Sequence, residues 1–391
     1  MTNRDGHRVE REPYMVVFRE QASFKDTYGG EEGWAFIEAM RIAPADVPSK
    51  TCIVFSHPIG GGSFLPIMTA LAREGHHVIY CNTRYRGNDT ALIMEKCVVD
   101  LAACIRDLST RFGYERVVLG GWSGGGSLAL FYQEQAERPT LTETPAGDPP
   151  DLTSETLPPG DAIFLVAAHV SRSATLTEWM DPSILDESDP DRRDPELDLY
   201  DPDNPNQPPY SAEYLTRFRA AQIERNRRIT TGVEARLAAL REAGRPDDEF
   251  AFVVHGTMAD PRWLDPTIDP NGRTPGRCYL GDPRLVNNGP VGLARFTTLR
   301  SWLSQWSLDK SRAHGERNAA GTSVPTLVVG NGADDACTPS HTHRLFEAIP
   351  HEQKEIHEIA GATHYYLGQE AELAQCIGLY TAFLERHGLD D

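Results

Sequence analysis

Ser123 sits in Gly121-Trp122-Ser123-Gly124-Gly125, directly after the apolar run Arg116-Val117-Val118-Leu119-Gly120 and ahead of a helical stretch from Ser127 to Arg138. A hydrophobic strand that runs into a glycine-flanked serine and then a helix has the order of a nucleophile elbow, a sharp turn that lifts a serine hydroxyl out of a sheet. Glycine is needed around such a serine because the turn strains the backbone and other chain must pass close by. A serine hydroxyl is a poor nucleophile at neutral pH and needs a base to take its proton as it attacks. That base in turn needs a carboxylate to hold its tautomer and stabilise the imidazolium.

Candidates for both partners lie further along the chain. The strand-like run Thr326 to Val329 leads into Gly330-Asn331-Gly332-Ala333-Asp334-Asp335, and the run Glu355 to Ile359 leads into Ala360-Gly361-Ala362-Thr363-His364. Singly, an aspartate here could be a turn or cap residue, and a loop histidine could make a structural hydrogen bond. In this order, each just past a strand, they complete a Ser123, Asp334, His364 set. Asp334 is taken as the acid and Asp335 as the alternative, with the unused aspartate bonding backbone or capping the turn.

Attack on a carbonyl also needs N–H donors where negative charge develops. Gly124, the residue after the serine, is one expected donor. The other is expected from Ser56-His57-Pro58-Ile59-Gly60-Gly61-Gly62-Ser63, where Pro58 has no N–H and so Ile59 is favoured, with Gly60 next. A phosphate-cradling role for this loop lacks the Gly-Lys-Ser/Thr that should come after it. His57, Trp122, Trp179 and Tyr365 are the candidate substrate-contacting residues.

These residues must be positioned by a scaffold, and the chain supplies one in pieces. Tyr14 to Arg19 and Trp34 to Met40 alternate as leading antiparallel strands. From Thr51 strands and helices alternate, the mark of a parallel sheet covered on both faces: strand Cys52 to Phe55, helix Phe64 to Arg73, strand His77 to Tyr80, helix Ala91 to Arg111, strand Val117 to Leu119, strand Ala162 to Val166. Strand signals then fade. Asp181 to Pro209 is dense in Asp and Pro and reads as a long solvated loop. Glu213 to Ala243 has helical periodicity with a break expected near Thr231-Gly232, Phe250 to Val254 is an uncertain strand, and Leu293 to Trp306 reads as a helix. The sheet pattern returns with Thr326 to Val329, a helix His341 to Ala348, strand Glu355 to Ile359 and a helix Ala371 to Arg386. The expected division is a core of residues 1–170 and 319–391, interrupted by a cap of 171–318.

The 391 residues are 40% hydrophobic and 24% charged, with a formal charge of −19. That charge disfavours nucleic acid and anionic membranes as partners, since both would repel it. No apolar run approaches the ~20 residues of a membrane helix, and the start lacks a signal-peptide core. The seven cysteines are odd in number, widely spaced and without C-x-x-C, which suits reduced thiols and a cytoplasmic location. His341-Thr342-His343 is read as solvated polar residues rather than a metal pair, and residues 181–209 lack the order of a calcium loop. Arg84, Arg86 and Asp89 are read as structural ion pairing, with a role in shaping the glycine loop as the alternative. The four tryptophans of the cap (Trp179, Trp263, Trp302, Trp306) are either its core or part of a pocket wall.

Over about residues 45–170 and 320–391 the order of these motifs resembles that of α/β-hydrolases of the serine esterase and lipase type. The resemblance implies a mostly parallel sheet of about eight strands with helices on both faces, and a largely helical cap inserted after the sixth strand. It implies a two-step acyl-enzyme mechanism with no metal or organic cofactor. The expected function is hydrolysis of a carboxylic ester of a fairly apolar small molecule. A C–C bond hydrolase, an aminopeptidase or an acyltransferase would use the same three residues. A non-catalytic binding module would be expected to have lost one of them, and dehalogenase or dienelactone hydrolase chemistry would put Asp or Cys at 123. Oligomeric state stays open, a homodimer being one option.

Overall fold

The computed structural model describes residues 6–20, 33–290 and 295–390. The alternating start of the chain forms an antiparallel pair, β1 (Val9–Arg19) and β2 (Trp34–Pro44). β3 (Thr51–Ser56), α1 (Pro66–Glu74), β4 (Val78–Cys81), α2 (Met94–Phe112), β5 (Arg116–Ser123), α3 (Gly124–Glu137) and β6 (Ala162–Ala168) come next, in the alternation expected. After β6 comes the insertion: α4 (Arg172–Trp179), α5 (Ala212–Glu242), the short strands β7 (Ala251–Val253) and β8 (Phe296–Thr298), and the short helices α6 (Pro283–Asn287), α7 (Leu299–Ser301) and α8 (Gly315–Ala319). The chain closes with β9 (Thr326–Asn331), α9 (Pro339–Ala348), β10 (Lys354–Ile359) and α10 (Glu370–Arg386).

Eight strands make one sheet in the order β1-β2-β4-β3-β5-β6-β9-β10. β2 runs antiparallel to both neighbours, and every pair from β4 to β10 is parallel. Successive side chains of a strand face opposite sides, and β6 shows it: Ile163 and Leu165 join the α2, α3 and α9 layer, while Phe164 and Val166 join the α1 and α10 layer. Both faces are therefore buried, which is why these strands read as continuous apolar runs. Chain order reverses across β4-β3-β5, and ligands of open α/β sheets bind outside the C-terminal strand ends at such a point. Ser123 and the loop after β3 both lie there.

The structure departs from the sequence expectations in four ways, three of them in the insertion. α5 is continuous for 31 residues; Gly232 faces open space and does not break it. One glycine costs about 1 kcal/mol relative to alanine, less than the buried stripe Ile229, Val233, Leu237 and Leu240 returns. The loop 181–209 lacks regular structure, as expected, but it is pinned rather than merely solvated. Asp181, Ser183, Ile184 and Asn204 are buried, and Asp186, Asp194, Asp198, Asp201 and Asn204 each accept from the backbone N–H two residues on, a chain of Asx turns. The expected helix Leu293 to Trp306 begins in residues that lie outside the described ones (293 and 294). The described remainder of that stretch is β8 paired with β7, the single turn α7, and a wider π turn over Trp302–Trp306 closed by Ser307 N–H donating to the Trp302 carbonyl. His341 is fully buried where solvated residues were expected: Nδ1 accepts from Val170 N–H at 3.2 Å, Nε2 faces the Arg262 guanidinium at 3.4 Å, and burial lowers its pKa to about 4.

The cap tryptophans split between the two roles considered. Trp302 and Trp306 stack at 5.2 Å in the insertion's own core, whereas Trp179 and Trp263 pack against Ala336 and Cys337 of the loop after β9. All seven cysteines are buried and free. Among the described residues no helix is long and apolar enough to cross a membrane.

Arg84 anchors the segment after β4. Its guanidinium meets Asp100 at 2.7 Å and Glu20 at 2.5 Å, with Arg84 and Asp100 side chains fully buried. Around it, Asn82 Oδ1 accepts from Gly61 N–H at 2.7 Å, Thr83 Oγ1 donates to the Pro58 carbonyl at 2.6 Å, and Gly87 N–H donates to the Ile59 carbonyl at 3.0 Å. Arg86 pairs with Glu38, and Asp89 with Arg172. Ion pairing and shaping of the glycine loop thus occur together. Removing one partner of a buried pair costs about 3–5 kcal/mol, more than replacing both. Arg84→Met is expected to lose that much in urea unfolding, and Arg84→Met with Asp100→Leu to lose less; a single variant as stable as the parent would remove the anchor role.

Candidate active site

Ser123 ends β5 and caps α3 with φ 54° and ψ −127°, a left-side conformation that L residues rarely adopt. It is held by backbone packed on backbone. A Cβ at Gly125 would run into the Ser56 carbonyl oxygen, and one at Gly121 would lie 2.6 Å from Gly126 Cα. Pairing with β6 slips between Trp122 and Ser123, and the Ser123 carbonyl accepts from His169 N–H at 3.0 Å. The hydroxyl is thereby lifted beyond the strand end.

His364 lies on the turn after β10. Trp122 Nε1–H donates to its carbonyl at 3.0 Å, and the Trp122 ring packs on the imidazole with centroids 4.8 Å apart. Asn331 bridges the two loops, its Nδ2 donating to the Thr363 carbonyl at 2.8 Å while its Oδ1 accepts from the Tyr366 hydroxyl at 2.5 Å. Ala333 N–H donates to the Ala362 carbonyl at 2.8 Å, which ties the loops after β9 and β10 together.

The loops bring three side chains into line. His364 Nε2 is 3.1 Å from Ser123 Oγ, and His364 Nδ1 is 2.8 Å from Asp334 Oδ2. A carboxylate can only accept, so Nδ1 carries the proton and Nε2 presents a lone pair to the serine hydroxyl. Asp334 is fully buried, and its other oxygen accepts from Ala336 and Cys337 N–H at 2.8 and 2.9 Å. Asp335 takes a different place. Its carbonyl accepts from Trp263 Nε1–H at 2.7 Å, and burial, then the neighbouring Asp334, pushes its carboxyl pKa up to about 6. The insertion thus clamps the acid loop, for Asn271 Nδ2 also donates to the Asp334 carbonyl at 2.7 Å.

Ser123 opens onto a cavity of about 170 Å³, most of its wall apolar, and His57, Ile59, Gly60, Trp122, Trp179 and Tyr365 all line it. Ser123, His364 and the expected substrate-contacting residues thus surround one space, whose lining does not include Asp334 or Gly124. The amides of the glycine loop are less free than expected: Ile59 N–H donates to His57 Nδ1 at 3.3 Å and Gly60 N–H to the His57 carbonyl at 2.8 Å. Gly124 opens α3, where the first amides have no partner within the helix. Sequence reasoning missed His169 and Tyr279, both on the cavity wall. His169 comes directly after β6, so the rule that pointed to His364 could have found it. Tyr279 sits in irregular chain of the insertion and has no such signal. Burial, and then the neighbouring His341, hold His169 well below the usual histidine range.

No protein-family model matches the chain, and no curated protein matches its sequence. Solved structures do match. DcsB, in a complex with its substrate analogue, is 14% identical, with 94% of this chain and 99% of that one covered at a TM-score of 0.51. Est1E from Butyrivibrio proteoclasticus is 13% identical over 94% and 98% at 0.46, and the monoacylglycerol lipase of Paleococcus ferrophilus 13% over 96% and 99% at 0.44. At such identities the likeness speaks for the fold alone. Strand order, the elbow after β5 and the insertion after β6 give this chain the α/β-hydrolase fold.

Because a Cβ at Gly125 would meet backbone, no rotamer change can relieve the clash. Gly125→Ala is expected to lower the melting temperature and to part Ser123 from His364, read by thermal unfolding and a crystal structure of the variant. An unchanged melting temperature would show that the elbow has slack.

Proposed function

We propose that this protein is a serine hydrolase that cleaves carboxylic esters of small apolar acyl groups. The observation that carries the reading is the line of Ser123 Oγ, His364 and Asp334, at 3.1 and 2.8 Å, on the floor of an apolar cavity. Ser123 attacks the ester carbonyl while His364 Nε2 takes the hydroxyl proton. Asp334 stabilises the imidazolium that results. The tetrahedral intermediate collapses as His364 returns the proton to the leaving alcohol, leaving an acyl-serine. Water then enters, His364 takes its proton, and the same steps in reverse free the acid and Ser123.

The cavity bounds the acyl group. At about 170 Å³ it is close to the roughly 150 Å³ apolar cavity that holds a benzene ring. A butyryl, branched short-chain or benzoyl group fits that space. Trp122, Trp179, Tyr279 and Tyr365 offer ring faces and edges to it, and an apolar wall with few polar groups suits such a ligand.

The test is intact-mass spectrometry after treatment with a fluorophosphonate, followed by rates on acetyl, butyryl, benzoyl and palmitoyl nitrophenyl esters. One adduct is expected, lost in Ser123→Ala. Turnover is expected to fall at least about 10⁴-fold in Ser123→Ala and His364→Ala with folding retained. Asp334→Asn should fall far below Asp335→Asn, and butyryl or benzoyl esters should be favoured over palmitoyl. No adduct on Ser123 in the parent, or activity retained in Ser123→Ala, would overturn the reading.

A further inference from the structure

The glycine loop after β3 holds few donors for an oxyanion. Pro58 has no N–H, Ile59 N–H points at His57 Nδ1, Gly60 N–H closes a turn on the His57 carbonyl, and Gly61 N–H is taken by Asn82 Oδ1 at 2.7 Å. The contact from Ile59 has a second consequence. A backbone N–H can only donate, so His57 Nδ1 accepts and the proton of the neutral ring sits on Nε2. No hydrogen bond among the described residues uses that Nε2–H. His57 lines the same cavity as Ser123, and a Cβ built on Gly124 would lie 2.9 Å from Nε2.

We propose that His57 Nε2–H is the second oxyanion donor, acting beside the Gly124 amide on the face of the cavity next to Ser123. This rests on the serine-hydrolase reading above. As Ser123 Oγ bonds to the carbonyl carbon, the C=O π pair moves onto oxygen and the serine proton passes to His364. The oxygen then accepts from Gly124 N–H and His57 Nε2–H, and His57 keeps its proton throughout. Burial, and then the nearby Arg172, lower the His57 pKa to about 3, so the ring stays a neutral donor. The ring cannot swing away freely, since it is only 8% exposed and packs against Trp122 with centroids 5.7 Å apart. A donor fixed before the reaction needs no reorganisation when charge appears. A side chain at Gly124 would press on the His57 ring, its Cβ lying 2.9 Å from Nε2.

Two substitutions separate this role from support of the loop. Asn at 57 can keep an acceptor near the Nδ1 position for Ile59 but has nothing at Nε2. Gln can put an N–H near Nε2 but loses the acceptor for Ile59. With butyryl nitrophenyl ester, His57→Asn is expected to lower kcat by about 10²–10³ with KM little changed, and His57→Gln to recover much of the loss. The reverse order would assign His57 to loop support and overturn the proposal. The same variants are compared on an ester and its thionoester, whose C=S sulfur is a weak acceptor. The parent should prefer the ester strongly, and His57→Asn should lose much of that preference. If both variants are equally slow, an unchanged ester-to-thionoester ratio overturns the proposal and a reduced ratio upholds it. Fluorophosphonate labelling of Ser123 is run on each. An unlabelled parent refutes the hydrolase reading itself, while a labelled parent whose His57→Asn variant turns over normally refutes only the role of His57.

Discussion

A residue held at positive φ with a side chain it must keep needs neighbours that leave it no alternative. Around Ser123 those neighbours are backbone atoms. Gly121 lies against Gly126, Gly125 lies under the Ser56 carbonyl, and the pairing of β5 with β6 slips one residue to admit the turn. Side-chain packing can relax around a defect, whereas peptide against peptide cannot. The two central strands, β3 and β5, meet beside Ser123 at this contact. The position of the hydroxyl is therefore set by the sheet itself, and the rest of the site is built to meet it.

The partners of that hydroxyl are held by two pieces of structure. The loops after β9 and β10 are tied through Asn331 and through Ala333 to Ala362, so histidine and carboxylate keep one mutual geometry. The second piece is the insertion, which reaches over and bonds the carbonyls of Asp334 and Asp335 through Asn271 and Trp263. Behind this contact lies a buried polar hub in which Arg262 meets Asp260 and Glu178 and faces His341. A charged hub of this kind contributes little net stability once its desolvation is counted, but it allows few alternative packings. Its effect is to seat the insertion in one register over the acid loop.

The sheet and the three aligned residues are legible in the sequence because each has a local signature. Strands buried on both faces are unbroken apolar runs, and a side chain just past such a run is at the reacting edge. Ser123, His364 and the aspartate pair all announce themselves in that way. The choice between Asp334 and Asp335 is not local. It depends on which carboxylate faces a histidine on another loop and which carbonyl meets a tryptophan of the insertion. The same limit applies to the loop amides: the engagement of Ile59 and Gly60 by His57 comes from a turn whose φ values no composition rule states. Within the insertion, helical periodicity locates α5 but misjudges Gly232, because the deciding fact is the buried stripe on the adjoining face. His341 is illegible for a similar reason, since its burial depends on Arg262 arriving from another element.

The cavity wall has two origins, and this divides the chain's freedom to change. Ser123, His364 and Asp334 stand at a strand end or on loops of the sheet, as do His57, Ile59 and Phe64, whereas Trp179 and Tyr279 come from the insertion. Variation at Tyr279 can reshape the cavity while the alignment of Ser123, His364 and Asp334 stays as it is. Trp263 and Asn271, which bond the loop that carries Asp334, and Trp179, which packs against that loop, lack such licence. One part of the insertion is thus free to vary at the cavity wall, while the other is bound to the loop that carries Asp334.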